Sequence, residues 1–88
     1  MRYTAKQVGD EIKKVRKSMH VTQHDLALTA GTGMRFIIDL EKGKPTCEFG
    51  KVLAVLNTLG IDMILTPPAK ARMNLDVVAS EVAPQEFD

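Results

Sequence analysis

Cys47, His20 and His24 carry the most reactive side chains in this chain, and their spacing builds no reaction centre. Cys47 has no basic partner nearby in sequence to take its proton, so the expectation is a small buried or capping residue. The two histidines are four apart, a spacing that can share a metal on one helix. A helix break at Val21-Thr22 falls between them, and no third ligand accompanies them. There is no nucleophile–base pair, no carboxylate dyad and no glycine-rich phosphate loop. Neither an enzyme nor a metal or cofactor site is expected. What remains is a cluster of hydrogen-bonding, cationic and apolar groups between residues 22 and 46: Thr22, Gln23, Thr32, Gly33, Met34, Arg35, Ile38, Lys42, Lys44 and Thr46. Groups of these types can meet a nucleic acid. Amides, hydroxyls and ammonium groups bond phosphate oxygens. Arg35 can address guanine O6 and N7 with two parallel bonds, or clamp a phosphate. Met34 offers only van der Waals contact, to a thymine methyl for example. Ile38, one turn on, either does the same or packs within the protein.

Such a cluster works only if rigid elements hold it. The helical period dominates the first sixty residues. Thr4 and Gln7 form a capping-box pattern. Val8, Ile12, Val15 and Met19 then line one face of a helix over 4–18, with Lys6, Lys13, Lys14 and Lys17 opposite. Thr22 is an N-cap for a second, short helix carrying Leu26, Ala27 and Ala30, which Gly31 ends. Thr32-Gly33 opens a third helix containing Met34, Ile37, Leu40 and Glu41, stopped by Gly43 and Lys44-Pro45. Thr46 or Cys47 caps a fourth, whose stripe is Phe49, Val52, Leu53, Leu56 and Leu59, with Val55 lying off it.

Helices two and three, joined by Ala30-Gly31-Thr32, match a helix-turn-helix in length and turn chemistry. Ala27 is small where the helices approach, Gly31 supplies the positive φ of the turn, and Ile37 and Leu40 face Leu26 across the angle. In that arrangement the first turn of helix three, with Met34 and Arg35, enters the major groove. Gln23 reaches a phosphate beside the N–H groups of its helix start. Lys42, Lys44 and Thr46 follow the DNA backbone from the loop beyond.

After Gly60 the period changes to two: Ile61, Met63 and Leu65 alternate with Asp62, Ile64 and Thr66, until Pro67-Pro68. An isolated strand cannot satisfy its own backbone. The same strand of a second copy is the economical partner, so Ile61, Met63, Ile64 and Leu65 are expected to form a homodimer contact. Size argues the same way. A chain of 88 residues without disulfides needs some further staple.

The residues Val21-Thr22-Gln23-His24-Asp25-Leu26-Ala27, Gly31 and Leu40-Glu41-Lys42-Gly43-Lys44-Pro45-Thr46 resemble the Xre-type, lambda-repressor-like helix-turn-helix family over roughly residues 6–60. The segment Gly33–Leu40 and the strand Ile61–Leu65 resemble the HipB antitoxins in particular. The resemblance implies an all-α lambda-repressor-like domain of four to five helices, with one C-terminal strand pairing across a dimer. It implies binding of double-stranded operator DNA, repression of its own operon and association with a HipA-type serine/threonine kinase toxin. It also implies that Arg16 pairs with Glu41 as a structural ion pair. Two alternatives stand beside it: a stand-alone or phage-type repressor, and an interaction protein that mainly neutralises a toxin. This chain departs from the family at Gly33, where a serine is common, so the third helix must be capped by Thr32 or by backbone alone. The tail also departs, so no toxin contacts carry over from it.

Composition sets the remaining bounds. Residues 1–66 carry a net charge of +3 and residues 67–88 a net charge of −2. The first part reads as the DNA-binding and dimerisation domain, the second as a flexible acidic tail whose Phe87 either anchors in a partner or is a disordered end. No apolar run approaches the ~20 residues of a membrane span, and the sequence MRYTAKQVGD lacks the apolar core of a secretory signal. A cytoplasmic protein without a membrane partner is expected.

Overall fold

The computed structural model describes residues 3–69; Phe87 and most of the tail lie outside them. Four helices are described: α1 (Ala5–Ser18), α2 (Gln23–Ala30), α3 (Met34–Lys42) and α4 (Phe49–Leu59). Local chemistry fixes their ends. Thr4 Oγ1 accepts the Gln7 N–H while Gln7 Oε1 accepts the Thr4 N–H, a complete capping box. Thr22 accepts the Asp25 N–H and starts α2. All four helices close with the same pair of backbone bonds around a left-handed residue. Three use glycine there. The first uses His20, at φ 59°.

The core joins Ile12 of α1, Leu26 and Ala27 of α2, Ile37 and Leu40 of α3, and Val52, Val55, Leu56 and Leu59 of α4. α1 packs on α3 and α4, and α2 packs on the same two helices. Gly9 marks a close approach of α1 to α3. A Cβ at that position would run into the Leu40 carbonyl oxygen.

The structure differs from expectation at three places. Glu48 precedes α4, not Thr46 or Cys47, and it caps without a side-chain bond; Pro45 and Thr46 are used up in a turn. Val55 lies at the centre of the core while Phe49 is exposed, so the buried stripe of α4 is rotated toward α1 and α2. Third, residues 61–68 have no regular secondary structure. Among the described residues no strand lies beside this segment for it to bond with. No helix among the described residues is long and apolar enough to cross a membrane.

Candidate nucleic-acid interface

The turn between α2 and α3 is held by backbone. The Thr32 N–H donates to the Ala27 carbonyl at 2.9 Å, and Gly31 takes φ 75°. This sets α3 across α2 with Leu26, Ile37 and Leu40 filling the angle. Gly33 caps α3 with no side-chain bond, and the Thr32 hydroxyl donates to the Gly33 carbonyl and accepts no N–H of the helix. Capping by Thr32 is therefore not how α3 starts. The N–H groups of its first turn have no side-chain acceptor, which suits an incoming anion.

Beside that end, Met34 and Arg35 are exposed and Ile38 is half-buried, outside the set of side chains that packs on the core. Lys42, Lys44 and Thr46 are exposed around the end of α3. Arg35 is not free: its Nη2 lies 3.1 Å from Asp39 Oδ1, and Lys44 Nζ lies 3.6 Å from Asp39 Oδ2. Lys51, in the first turn of α4, stands 5.8 Å from the centre of the Phe36 ring. Asp39 and Lys51 were missed by sequence reasoning. The i, i+4 spacing of Arg35 and Asp39 was the available signal; nothing local marks Lys51.

Behind the surface, Arg16 and Glu41 meet in a buried pair. Arg16 Nε donates to Glu41 Oε2 at 2.6 Å, Nη2 to Oε1 at 3.0 Å, and Nη1 to the Val21 carbonyl at 2.8 Å. Gln23 Nε2 donates to the same Glu41 Oε1 at 3.1 Å. The amide expected to reach a phosphate is thus tied inward, leaving part of its donor capacity and the adjacent helix start for an outside partner. Every buried side-chain polar atom among the described residues has a partner. The pair joins α1, the start of α2 and the end of α3 into one frame behind the exposed groups. Among the described residues no cluster of His, Cys, Asp or Glu could hold a metal. Cys47 is a half-buried free thiol packed on the core.

The chain is 46% identical over 69 residues to an uncharacterized HTH-type transcriptional regulator, y4mF, of Sinorhizobium fredii, a match spanning 78% of this chain and 91% of the relative. It belongs to the HTH-type transcriptional regulators. No family profile matches the chain. The regulator shares its fold with solved structures of HipB. In the HipB-O4 20mer complex the TM-score is 0.69 at 24% identity, over 76% of this chain and 94% of that one. In a HipB-O1-O2 complex the values are the same, over 97% of the HipB chain.

Proposed function

We propose that the regulator is a sequence-specific DNA-binding repressor that docks on a palindromic operator as a homodimer. The observation that carries this reading is the first turn of α3: an N-terminus free of side-chain capping, with exposed Met34 and Arg35, on a frame locked from behind by Arg16 and Glu41. Base edges are read by Met34, Arg35 and Ile38 and by close approach at Gly33. Thr22, Gln23, Thr32, Lys42, Lys44 and Thr46 address the phosphate backbone. Residues 1–66 are the working domain, and Ile61, Met63, Ile64 and Leu65 join two copies. The protein acts in the cytoplasm and takes no cofactor. The shared fold with HipB supports a further step: the regulator is an antitoxin that represses its own operon and binds a HipA-type serine/threonine kinase toxin.

Selection from randomised double-stranded DNA, followed by binding at two salt concentrations, tests the core of this reading. One enriched inverted repeat and a steep loss of affinity with salt are expected, since each phosphate contact releases counterions. A flat salt response or the absence of any enriched sequence overturns it. Co-expression with the neighbouring reading frame tests the toxin partner. The second reading is a stand-alone repressor, and the similarity to y4mF, an uncharacterized HTH-type transcriptional regulator, is compatible with either. A kinase-like neighbour that co-purifies decides for the antitoxin.

A further inference from the structure

We propose that Asp39 is a positioning residue for base reading. Its carboxylate holds Arg35 on one oxygen and Lys44 on the other, and its charge penalises binding that rests on phosphate contacts alone. The inference rests on the DNA-binding reading above and adds a residue to it.

The carboxylate is the fixed member of the group. The Asp39 side chain is 18% exposed, against 75% for Arg35 and 53% for Lys44. Its backbone carbonyl also accepts the Lys44 N–H at 3.0 Å, just past the left-handed Gly43. Asp39 therefore ties the first turn of α3 to the loop after α3 through both its main chain and its side chain. As a stabilising device an exposed i, i+4 pair contributes little. Its effect is on geometry. A guanidinium carries five donors in a rigid fork, and Arg35 meets Asp39 as an ion pair through Nη2. The rest of the fork remains for a guanine, already oriented, so less side-chain freedom is lost on docking.

Charge adds a second effect. A carboxylate this near DNA phosphates is repelled unless cations compensate it. On a correct sequence Arg35 bonds the base while keeping Asp39 as its neighbour. On a wrong sequence Arg35 finds no guanine acceptors and must swing to a phosphate, leaving Asp39 less compensated beside the DNA. The residue thus widens the gap between right and wrong sites by making the wrong ones worse.

The test uses the full chain and three kinds of duplex: the one wild type selects from randomised DNA, its single-base variants, and a scrambled duplex of equal length. Arg35→Ala first locates the base pair that Arg35 reads, with an expected loss of discrimination of roughly tenfold there. Asp39→Asn should lose a large part of that same discrimination and bind the scrambled duplex several-fold tighter. The double variant should discriminate no worse than Arg35→Ala alone. Asp39→Glu keeps the charge but displaces the carboxylate, so discrimination should fall with no gain on scrambled DNA. It gives an independent reading should the amide variant not show wild-type circular dichroism. Wild-type discrimination in a folded Asp39 variant overturns the inference, as does a uniform loss across all duplexes for Arg35→Ala. Wild type that prefers no sequence over the scrambled duplex overturns the DNA-binding reading itself.

Discussion

Arg16 shares its guanidinium among two oxygens of Glu41 and the carbonyl of Val21, at 7% and 5% exposure for the two charged residues. Deep burial makes the pair asymmetric in its energetics. Forming it gains little over an apolar pair, because both charges leave water; breaking it strands one of them. Arg16→Ala should therefore destabilise by about 3–5 kcal/mol. Arg16→Met combined with Glu41→Leu should fall within about 1 kcal/mol of wild type or above it. Denaturant titrations of the single and double variants check this, and equal losses in both would sink the argument. The pairing came into the sequence reading through family resemblance alone. Residues 25 apart in sequence carry no periodic signal, and the same holds for the bond from Gln23 to Glu41, which spacing could not show. His20 is a second residue-scale case. It ends α1 at φ 59°, where a Cβ costs about 1–2 kcal/mol that glycine avoids. Glycine returns about 0.5–1 kcal/mol of that through the freer unfolded chain. His20→Gly should stabilise by about 0.5–1 kcal/mol on these terms, raising Tm by a few degrees in a thermal melt.

The elements were legible where capping and period agree. Thr4 and Thr22 mark boundaries by their capping hydroxyls, Gly31 and Gly43 by a left-handed backbone, and the structure places α1, α2 and α3 accordingly. Legibility failed where packing between elements decides. Phe49 and Val55 are both apolar and either could head the stripe of α4. Only the position of α1 and α2 against α4 puts Val55 inside and Phe49 out. Gly9 is invisible for the same reason: within its own helix it is merely a poor helix former. Gly50 looks identical in sequence yet has open space where its Cβ would be. The two give opposite predictions for one chemical change. Gly50→Ala should stabilise by up to about 1 kcal/mol through helix propensity. Gly9→Ala gains the same propensity but drives a methyl into the Leu40 carbonyl, with the Glu41 carbonyl oxygen at 3.1 Å. These are backbone atoms of α3, so α1 must move bodily, and a net loss of about 1–3 kcal/mol is expected. Thermal melts of both variants suffice, and stabilisation by Gly9→Ala would show that α1 does not sit where the structure puts it.

At the scale of the whole molecule, the segment after α4 carries the most exposed of the large apolar side chains among the described residues. Ile64 and Leu65 are 81% and 83% exposed, and Ile61, Met63, Ile64 and Leu65 border a groove of about 440 Å³ together with Leu53, Leu56 and Asn57 of α4. The alternation of residues 61–66 supplies the backbone for a ladder, while the groove supplies an apolar bed beside it. Two copies paired through this segment would give each the hydrogen-bond partner that the described residues of one chain do not supply, and would cover apolar side chains exposed there. A palindrome in turn requires two α3 helices on one face, at a spacing of about one DNA turn, ~34 Å. If this is how the dimer forms, Met63→Pro removes a ladder donor from the middle of the strand and cannot be absorbed by a side-chain shift. Sedimentation should then find the wild type dimeric and the variant shifted toward monomer, with circular dichroism of the four helices retained. The melting temperature of the wild type should rise with protein concentration and that of the variant should not, because only association with a second copy couples stability to concentration. Operator affinity should fall with dimerisation while contact with a single half-site persists, since each monomer keeps its own α3. An unchanged dimer in the proline variant would move the interface away from residues 61–65 and leave the exposed Ile64 and Leu65 to a different partner.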